Sequence, residues 1–424
     1  MQPQPESGNA WTDQAVIYEV NIRQYTPEGT FNAFAKHLPR LKRLGVDVIW
    51  LMPVNPISEL NRKGSLGSYY AVSNYKAVNP NFGTEADLHS LVGQAHQLGI
   101  KVVLDWVANH TGCDNVWTTE HPDWYVRNDQ GGFSSPYDWT DTYELDYDNQ
   151  QMRQGMIDAM KYWVSEFDVD GFRCDVAYEV PFDFWPQARM ALDSIAASPL
   201  FMLAENEQPA LQQTGAFDMC YNWPLKNLMF DIAHQRANAA NLNALLVHQD
   251  SIFPQRNILM NHITNHDLNS WDGSEFVRFG DAVRAFAVLT YTLPGMPLVY
   301  TGQEVGMDKT LQFFEKDTVP SWTDNAWTSF YAQLSAIRHS NPALNSYTRW
   351  SEAQVSLSAD SSLIAFERYN GGNRVLTVVN LSPEARSAGS LGIKNIDGYK
   401  DAFSNANASM PDDIEPWGYR ILTK

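Results

Sequence analysis

Acidic residues follow four of the apolar, strand-like segments of this chain. They are Asp105, Asp175, Glu205 and Asp267. Carboxyl groups can serve as nucleophiles, as proton donors and acceptors, or as hydrogen-bond acceptors for a polar substrate. A single carboxylate at a strand end is more often a helix cap or an ion-pair partner. Four of them in equivalent positions instead favour one shared catalytic site.

Two of these acids have neighbours that predict different roles. Arg173 and Asp175 are alternate residues of one strand, so their side chains point the same way and the cation keeps the carboxylate ionised. An ionised acid suits attack on an anomeric carbon. Glu205 follows the apolar residues 200–204, and burial there favours the protonated form that a leaving oxygen needs. We therefore expect Asp175 as the nucleophile and Glu205 as the acid.

Eight β-type segments alternate with amphipathic stretches, such as 31–44, 84–98 and 280–292. The strands are expected at 15–20, 46–52, 100–105, 169–175, 200–204, 217–221, 257–263 and 296–300. This βαβα rhythm predicts an α/β fold, a closed (β/α)₈ TIM barrel. Such barrels carry their chemistry on the loops that follow the strands, which is where the four acids lie.

Two regions depart from the barrel rhythm. Residues 106–148 are rich in Trp, Tyr, Asp and Gly and contain no long helical pattern, so they are expected to form a short inserted domain after the third strand. Beyond residue 344 the pattern changes to alternating strands, with a hairpin signal in YNGGN at 369–373. We expect a barrel from 1–105 and 149–344, and a small antiparallel β-sandwich domain from 345–424.

Composition excludes several classes of partner. The net charge of −19 disfavours nucleic acid and anionic membrane surfaces. The apolar segments are about nine residues long, less than half of a membrane span. A neutral substrate fits better, and the 14 Trp and 19 Tyr residues offer faces that can stack on sugar rings. The oligomeric state stays open.

The cysteines and the first residues indicate little about compartment. Cys113, Cys174 and Cys220 are odd in number and lack metal-ligand spacing, so they predict neither a disulfide framework nor a zinc site. Residues 1–10 are polar and lack the apolar segment of a signal peptide. This leaves a cytoplasmic protein or the mature part of an exported one, and we expect a periplasmic or secreted location.

Several ordered motifs lie on these strands. They are DWVANH at 105–110, GFRCD at 171–175, the segment ending in Glu205, ITNHD at 263–267 and PGMPLVYTGQE at 294–304. Together they make the chain resemble the α-amylase family of glycoside hydrolases, family 13, over nearly its whole length. Further agreement lies at 15–31, 64–84 and 417–422.

The resemblance implies a role for each of three acids. Asp175 would be the nucleophile, Glu205 the general acid/base, and Asp267 a third carboxylate that holds the 2- and 3-hydroxyls of the sugar at the transition state. It also implies retention of anomeric configuration and no cofactor for the chemistry.

The same resemblance implies a set of substrate-binding residues. Tyr70 would be the aromatic platform beneath the cleaved sugar, and His110 and His266 would hold that sugar's hydroxyls. Arg173 would be oriented beside the nucleophile, and Asp105 would help to organise it.

A calcium ion is a further possibility that the resemblance raises. Asn109 and Asp146 match positions that ligate a structural calcium in family members, and oxygen ligands suit this ion. Ordinary loop hydrogen bonds are the alternative. The chain departs from typical calcium-dependent amylases at Tyr178 and Glu179, which replace Lys-His, and at Asn74, which replaces Asp.

The linkage and mode of action stay open between several alternatives. Val176, next to the expected nucleophile, accompanies α-1,6 cleavage in the oligo-glucosidase branch of the family. The short insertion at 106–148 instead leaves an open groove, so we expect an endo-acting α-1,4-glucan hydrolase. An exo-acting α-glucosidase or oligo-1,6-glucosidase, an α-glucan transglycosylase and an inactive sugar-binding scaffold are the alternatives.

Overall fold

The computed structural model describes residues 10–393 and 395–424. Its central feature is one closed parallel sheet whose strands follow each other in sequence order. They are Ile17–Val20, Val48–Leu51, Lys101–Trp106, Gly171–Cys174, Phe201–Ala204, Met219–Tyr221, Ile258–Asn261 and Met296–Tyr300. The predicted TIM barrel is therefore confirmed. The strands are short and their residues are almost all buried, as is typical of a parallel sheet covered on both faces.

The first of two compact units comprises 18–220 and 311–322. Its α-helices are Ile22–Tyr25, Phe31–Ala35, Leu38–Leu44, Glu85–Gln97, Trp117–Glu120, Gln150–Phe167, Phe184–Asp193 and Pro209–Gln212. The single helix predicted at 31–44 is two helices, with Pro39 in the first turn of the second, where a missing N–H is tolerated. Thr84 and Asp87 form a capping box at the start of Glu85–Gln97, in which Thr84 N donates to Asp87 Oδ2 at 2.8 Å.

The inserted segment of this unit has little regular structure. It holds a two-stranded antiparallel sheet formed by His110–Gly112 and Thr142–Glu144, with a 3₁₀ turn at Pro122–Trp124. Aromatic rings pack its interior, as between Trp117 and Trp124, whose centroids are 5.0 Å apart. The exact limits of the inserted domain stay a prediction.

The second unit comprises 10–17, 221–310 and 323–424. Its α-helices are Trp223–Ala233, Ala239–Ile252, Glu275–Phe279, Val283–Thr292 and Ala326–Ser340, and a π-helix lies at Leu268–Asp272. Short 3₁₀ turns lie at Ala10–Asp13, Gly280–Ala282, Gln303–Val305, Pro342–Leu344, Trp350–Glu352 and Ala388–Leu391. The helix predicted at 280–292 begins at Val283, after one of these turns.

Antiparallel strands form the C-terminal part of this unit, as predicted. A five-stranded sheet has the order Gln354–Leu357, Leu363–Asn370, Asn373–Asn380, Tyr419–Thr423 and Lys400–Asp401, and a two-stranded sheet joins Arg386–Ser387 to Asp413–Ile414. The expected hairpin is present, because Asn370 pairs with Asn373 around two glycines. Gly371 has a φ of 58°, a left-handed conformation that glycine adopts readily.

Two predictions concern compartment and membrane. No helix among the described residues has the length and apolar character of a membrane span. The polar first residues on which the location depended lie, apart from Ala10, outside the described residues. Cys113, Cys174 and Cys220 are buried and are not joined in disulfides.

Candidate active site

Strand register brings two of the predicted acids together. Cys174 and Ala204 are paired on neighbouring strands, and Asp175 and Glu205 are the next residues along each. Backbone hydrogen bonds continue past the strand ends, from Glu205 N to Cys174 O at 3.0 Å and from Asp175 N to Trp106 O at 2.9 Å. Both carboxyl groups are thus fixed by main-chain contacts on rigid strands.

The Arg173 guanidinium contacts three carboxyl groups. Nη1 donates to Asp175 Oδ1 at 2.8 Å and to Asp105 Oδ1 at 2.9 Å, and Nη2 lies 2.8 Å from Glu205 Oε2. The contact expected from the alternation of Arg173 and Asp175 is therefore present. The apolar setting expected for Glu205 is not what the structure shows, because the same cation contacts that acid too. Three carboxyl groups beside one cation cannot all ionise without mutual repulsion, which favours one proton among them.

The Asp105 carboxylate accepts hydrogen bonds from several other side chains of the protein. Its side chain is fully buried, and its Oδ2 accepts hydrogen bonds from Tyr70 Oη at 3.0 Å and Trp50 Nε1 at 3.1 Å. Three donors favour the ionised form. These contacts hold Asp105 against Arg173 and Tyr70, and its organising role there stays a prediction. Trp50 was not singled out from sequence, since an aromatic residue inside an apolar strand carries no functional signal.

Glu205 keeps 13% of its side chain exposed, and its two oxygens differ. Val176 N donates to Oε2 at 2.9 Å, and Arg173 Nη2 approaches the same atom. A proton on Oε2 would face both donors, so a protonated Glu205 carries its proton on Oε1. The acidic hydrogen is thereby directed by the backbone.

Val176 donates that hydrogen bond from an unusual conformation. Its φ is 35°, in the left-handed region that a β-branched residue rarely adopts. Such strain persists where surrounding contacts impose it, and it is concentrated at functional sites. No sequence pattern predicted this backbone conformation of Val176.

Tyr70 and His110 contact each other, and Tyr70 also contacts Asp105. The Tyr70 ring lies parallel to Phe313 with centroids 6.4 Å apart. His110 is buried, and burial lowers its pKa to about 4, although a hydrogen bond to the Tyr70 backbone opposes the shift. His110 is therefore neutral near pH 7 and can act as a hydrogen-bond partner for a hydroxyl group. Trp139 packs edge-on against His110 at 5.3 Å, a contact that sequence reasoning missed.

His266 and Asp267 lie in the second unit, after the strand Ile258–Asn261. His266 Nε2 is 3.3 Å from Asp267 Oδ2, and the Asp267 side chain is 38% exposed. The backbone here is held by Arg278, whose Nη1 donates to Ile263 O at 2.8 Å. Asp267 is thus a half-exposed carboxylate on a fixed loop.

The structure does not show calcium binding by the predicted ligands Asn109 and Asp146. Asp146 Oδ1 accepts from Asp148 N at 2.9 Å, and the Asn109 amide lies 3.4 Å from His110 Nδ1. Within 10–393 and 395–424, no group of three or more His, Cys, Asp or Glu side chains is placed to hold a metal ion. Calcium takes six to eight oxygen ligands, so we derive no step through this ion.

Comparisons with known proteins identify the family of this chain. The model of the α-amylase catalytic domain matches residues 7–356. The chain is 28% identical over 432 residues to alpha-amylase MalA from Haloarcula japonica, covering 96% of this chain and 62% of that protein. It is 25% identical to a cyclomaltodextrinase from Bacillus sp, covering 88% of this chain and 73% of that protein.

Solved structures extend the likeness to the fold. An alpha-amylase from Lactobacillus plantarum superposes with a TM-score of 0.86 at 29% identity, over 97% of this chain and 99% of that one. A noncanonic maltogenic alpha-amylase, AmyB from Thermotoga neapolitana, gives 0.84 at 29% identity, over 97% and 98%. With the family model matched across most of its length, the chain belongs to the α-amylase family of glycoside hydrolases, family 13.

Proposed function

We propose that this protein hydrolyses α-1,4-glucosidic bonds in starch-like glucans and maltooligosaccharides, with retention of anomeric configuration. The observation that carries the proposal is the contact of one guanidinium, that of Arg173, with both Asp175 and Glu205. Two acids on one guanidinium are close together, which favours the pair about 5–5.5 Å apart of retaining enzymes over the wider pair of inverting ones.

Asp175 begins the reaction as the nucleophile. Its carboxylate attacks the anomeric carbon from the β face while Glu205 passes its proton to the departing glycosidic oxygen. The bond to that oxygen breaks as the ester to Asp175 forms. Arg173 keeps Asp175 ionised and in place, since its charge-assisted hydrogen bond favours the carboxylate.

Water completes the reaction at the opposite face. Glu205, now ionised, takes a proton from a water molecule that attacks the anomeric carbon, and the ester to Asp175 breaks. Its contacts with Val176 N and Arg173 stabilise this ionised form. Two inversions restore the α configuration.

For the mode of action, we propose endo cleavage. Its support is the short inserted segment, which holds only a small two-stranded sheet and short helical turns. An α-1,6 or exo-acting enzyme and a transglycosylase remain alternatives. Early products from amylose, maltotriose, isomaltose and pullulan, resolved by size, distinguish them: glucose as the sole early product from amylose would contradict an endo mode.

The roles of the two acids are tested by chemical rescue. Glu205→Ala should lose most activity on starch but keep glycosylation of α-maltosyl fluoride, because fluoride departs without a full proton. Azide should then resolve the covalent intermediate and give the α-azide after two inversions. Asp175→Ala forms no such intermediate, so azide acting on the fluoride should give the β-azide by one inversion.

Glu207 provides a matched control, because it is an exposed acid two residues beyond Glu205. Glu207→Ala should behave as the wild type on both substrates. Equal loss of starch and fluoride activity in Glu205→Ala, with no rescue by azide, would rule out Glu205 as the acid/base.

A further inference from the structure

A short helical turn follows the strand Ile258–Asn261 and carries Asp267. The chain is helical from residue 266, and the π-helix Leu268–Asp272 continues directly from Asp267. Turns of π-helix are rare and occur frequently at functional sites. The residues of this turn therefore follow directly on an acid of the proposed site.

Trp271 is the unusual residue of the turn. Of the tryptophans within 10–393 and 395–424, it is the one that is exposed, at 59%, while the others are buried or half-buried. An indole ring left in water forgoes the large stabilisation that burial of an aromatic side chain gives. Packing of the core thus does not explain the position of Trp271.

Asp267 and Trp271 project from the same side of the turn. They are four residues apart, and four residues make close to one helical turn. The burial of the side chains agrees with this geometry, because Asp267 and Trp271 reach solvent while Leu268 and Asn269 between them are buried. Side chains so spaced on an α-helix lie about 5–6 Å apart at Cβ, so the carboxylate and the indole form one exposed surface.

Hydrogen bonds hold the turn in place at both ends. Arg278 donates from Nη1 to Ile263 O at 2.8 Å, before the turn, and from Nε to Gly273 O at 3.1 Å, directly after it. Within the turn, the Asn269 amide donates to a backbone carbonyl of the segment after the last barrel strand at 2.9 Å. Trp271 is therefore presented on a fixed backbone, which lowers the entropy cost of binding a ligand there.

We propose that the Trp271 ring is a stacking platform for a second glucosyl unit of the substrate, next to the one that Asp267 holds. The inference rests on the proposed function and deepens it. A glucosyl ring has an apolar face that stacks on an aromatic ring and hydroxyls that need polar partners, and this surface offers both. Trp271 is then a specificity-determining residue for chain length, because a substrate of one sugar has no second unit to place on it.

The test compares kcat/KM on maltoheptaose with kcat/KM on α-glucosyl fluoride, which contains a single sugar. Trp271→Ala should lower the first on the order of tenfold, the usual scale for loss of an aromatic anchor, and leave the second unchanged. Trp271→Phe keeps a flat ring and should recover most of the loss. Damage to Asp267 would instead lower both values, because both substrates carry the sugar that Asp267 holds.

A footprint on the bound protein tests the contact without turnover. In the Asp175→Asn variant, which should bind maltoheptaose without cleaving it, the ligand should slow oxidation of Trp271 by hydroxyl radicals several-fold. Tyr369, which is 43% exposed in the C-terminal sheet, is the internal control and should be oxidised at the same rate with and without ligand. Tyr369→Ala is the matched kinetic control and should leave kcat/KM on both substrates at the wild-type values.

The outcomes separate the two proposals. If the wild type cleaves neither maltoheptaose nor starch, the proposed function fails. If it cleaves them and Trp271→Ala lowers kcat/KM on maltoheptaose and α-glucosyl fluoride alike or on neither, or if maltoheptaose protects Trp271 no more than Tyr369, the platform proposal is wrong.

Discussion

At the scale of single residues, the least expected feature is the backbone at Val176. A left-handed conformation costs a non-glycine residue about 1–2 kcal/mol, and a β-branched side chain adds crowding. The strain aims the Val176 N–H at Glu205 Oε2. The proposed general acid thus accepts a hydrogen bond from a main-chain group, which exchange of Val176 for glycine or alanine would not remove.

Glycine should therefore be better tolerated than alanine at position 176. We expect the free energy of unfolding of Val176→Gly to exceed that of Val176→Ala by about 1 kcal/mol, because glycine adopts a φ of 35° without strain. Urea unfolding measures both values. Val247, exposed within the helix Ala239–Ile252, is the matched control, and there alanine should be the more stable by about 1 kcal/mol. If alanine were the more stable variant at position 176 as well as at position 247, Val176 would be unstrained.

Asp267 is expected to act on the transition state rather than on uniform binding. Asp267→Asn should lower kcat by about 10² or more while KM changes only a few-fold, because a carboxylate that grips a distorted sugar matters most at the transition state. Steady-state kinetics on soluble starch measure both constants. A rise in KM with kcat unchanged would instead make Asp267 a simple binding residue.

At the scale of elements, close strand packing constrains the fourth barrel strand. A Cβ added at Gly171 would lie 1.8 Å from Phe201 O on the neighbouring strand, so the backbones meet where no side chain fits. This approach sets the register that places Asp175 beside Glu205.

Gly171→Ala should consequently be severely destabilising. We expect a loss of at least about 3 kcal/mol or a failure to accumulate folded protein, since a backbone oxygen cannot move aside as a flexible side chain would. Gly93→Ala is the control, because it lies exposed in the helix Glu85–Gln97 with no atom within 4 Å of the added Cβ. That change should raise stability by up to about 1 kcal/mol. Thermal unfolding of both variants would refute the idea if their melting temperatures were similar.

At the scale of the whole molecule, two buried titratable groups contribute to the pH dependence of stability. Burial lowers the pKa of His262 to about 3, against about 6.5 when unfolded, so its contribution is present above pH 6.5 and is lost as pH falls. Burial raises the pKa of Glu275 to about 7, and its contribution is lost as pH rises from 4.5 through 7.

Substituting either group should tilt the stability profile. Between pH 7 and pH 5, His262 should lower the free energy of unfolding of the wild type by about 2 kcal/mol. In His262→Gln this pH-dependent loss should be absent, even if the substitution also changes stability by the same amount at every pH. Glu275→Gln should instead reduce the loss of unfolding free energy that occurs as pH rises from 5.5 to 8. Urea unfolding at several pH values measures both slopes, and slopes equal to that of the wild type would contradict these assignments.

Local spacing was enough to predict much of this protein. The barrel strands were expected within a residue or two of where they lie, because buried parallel strands are short apolar segments that recur between amphipathic helices. The neighbouring Arg173 and Asp175 followed from the two-residue repeat of a strand. The turn around Gly371 followed from the conformational freedom of glycine.

Only the tertiary structure decided the contacts between distant segments. Strand register placed Glu205 against Arg173, so the cation that sequence assigned to one acid contacts both. Packing of the inserted segment placed Tyr137 against Glu179, 42 residues further along the chain. Residue spacing fixes which side chains share a face of one element, but it carries no information on which face meets another. That choice depends on the packing of many side chains at once, and it determined the surroundings of the acids in this site.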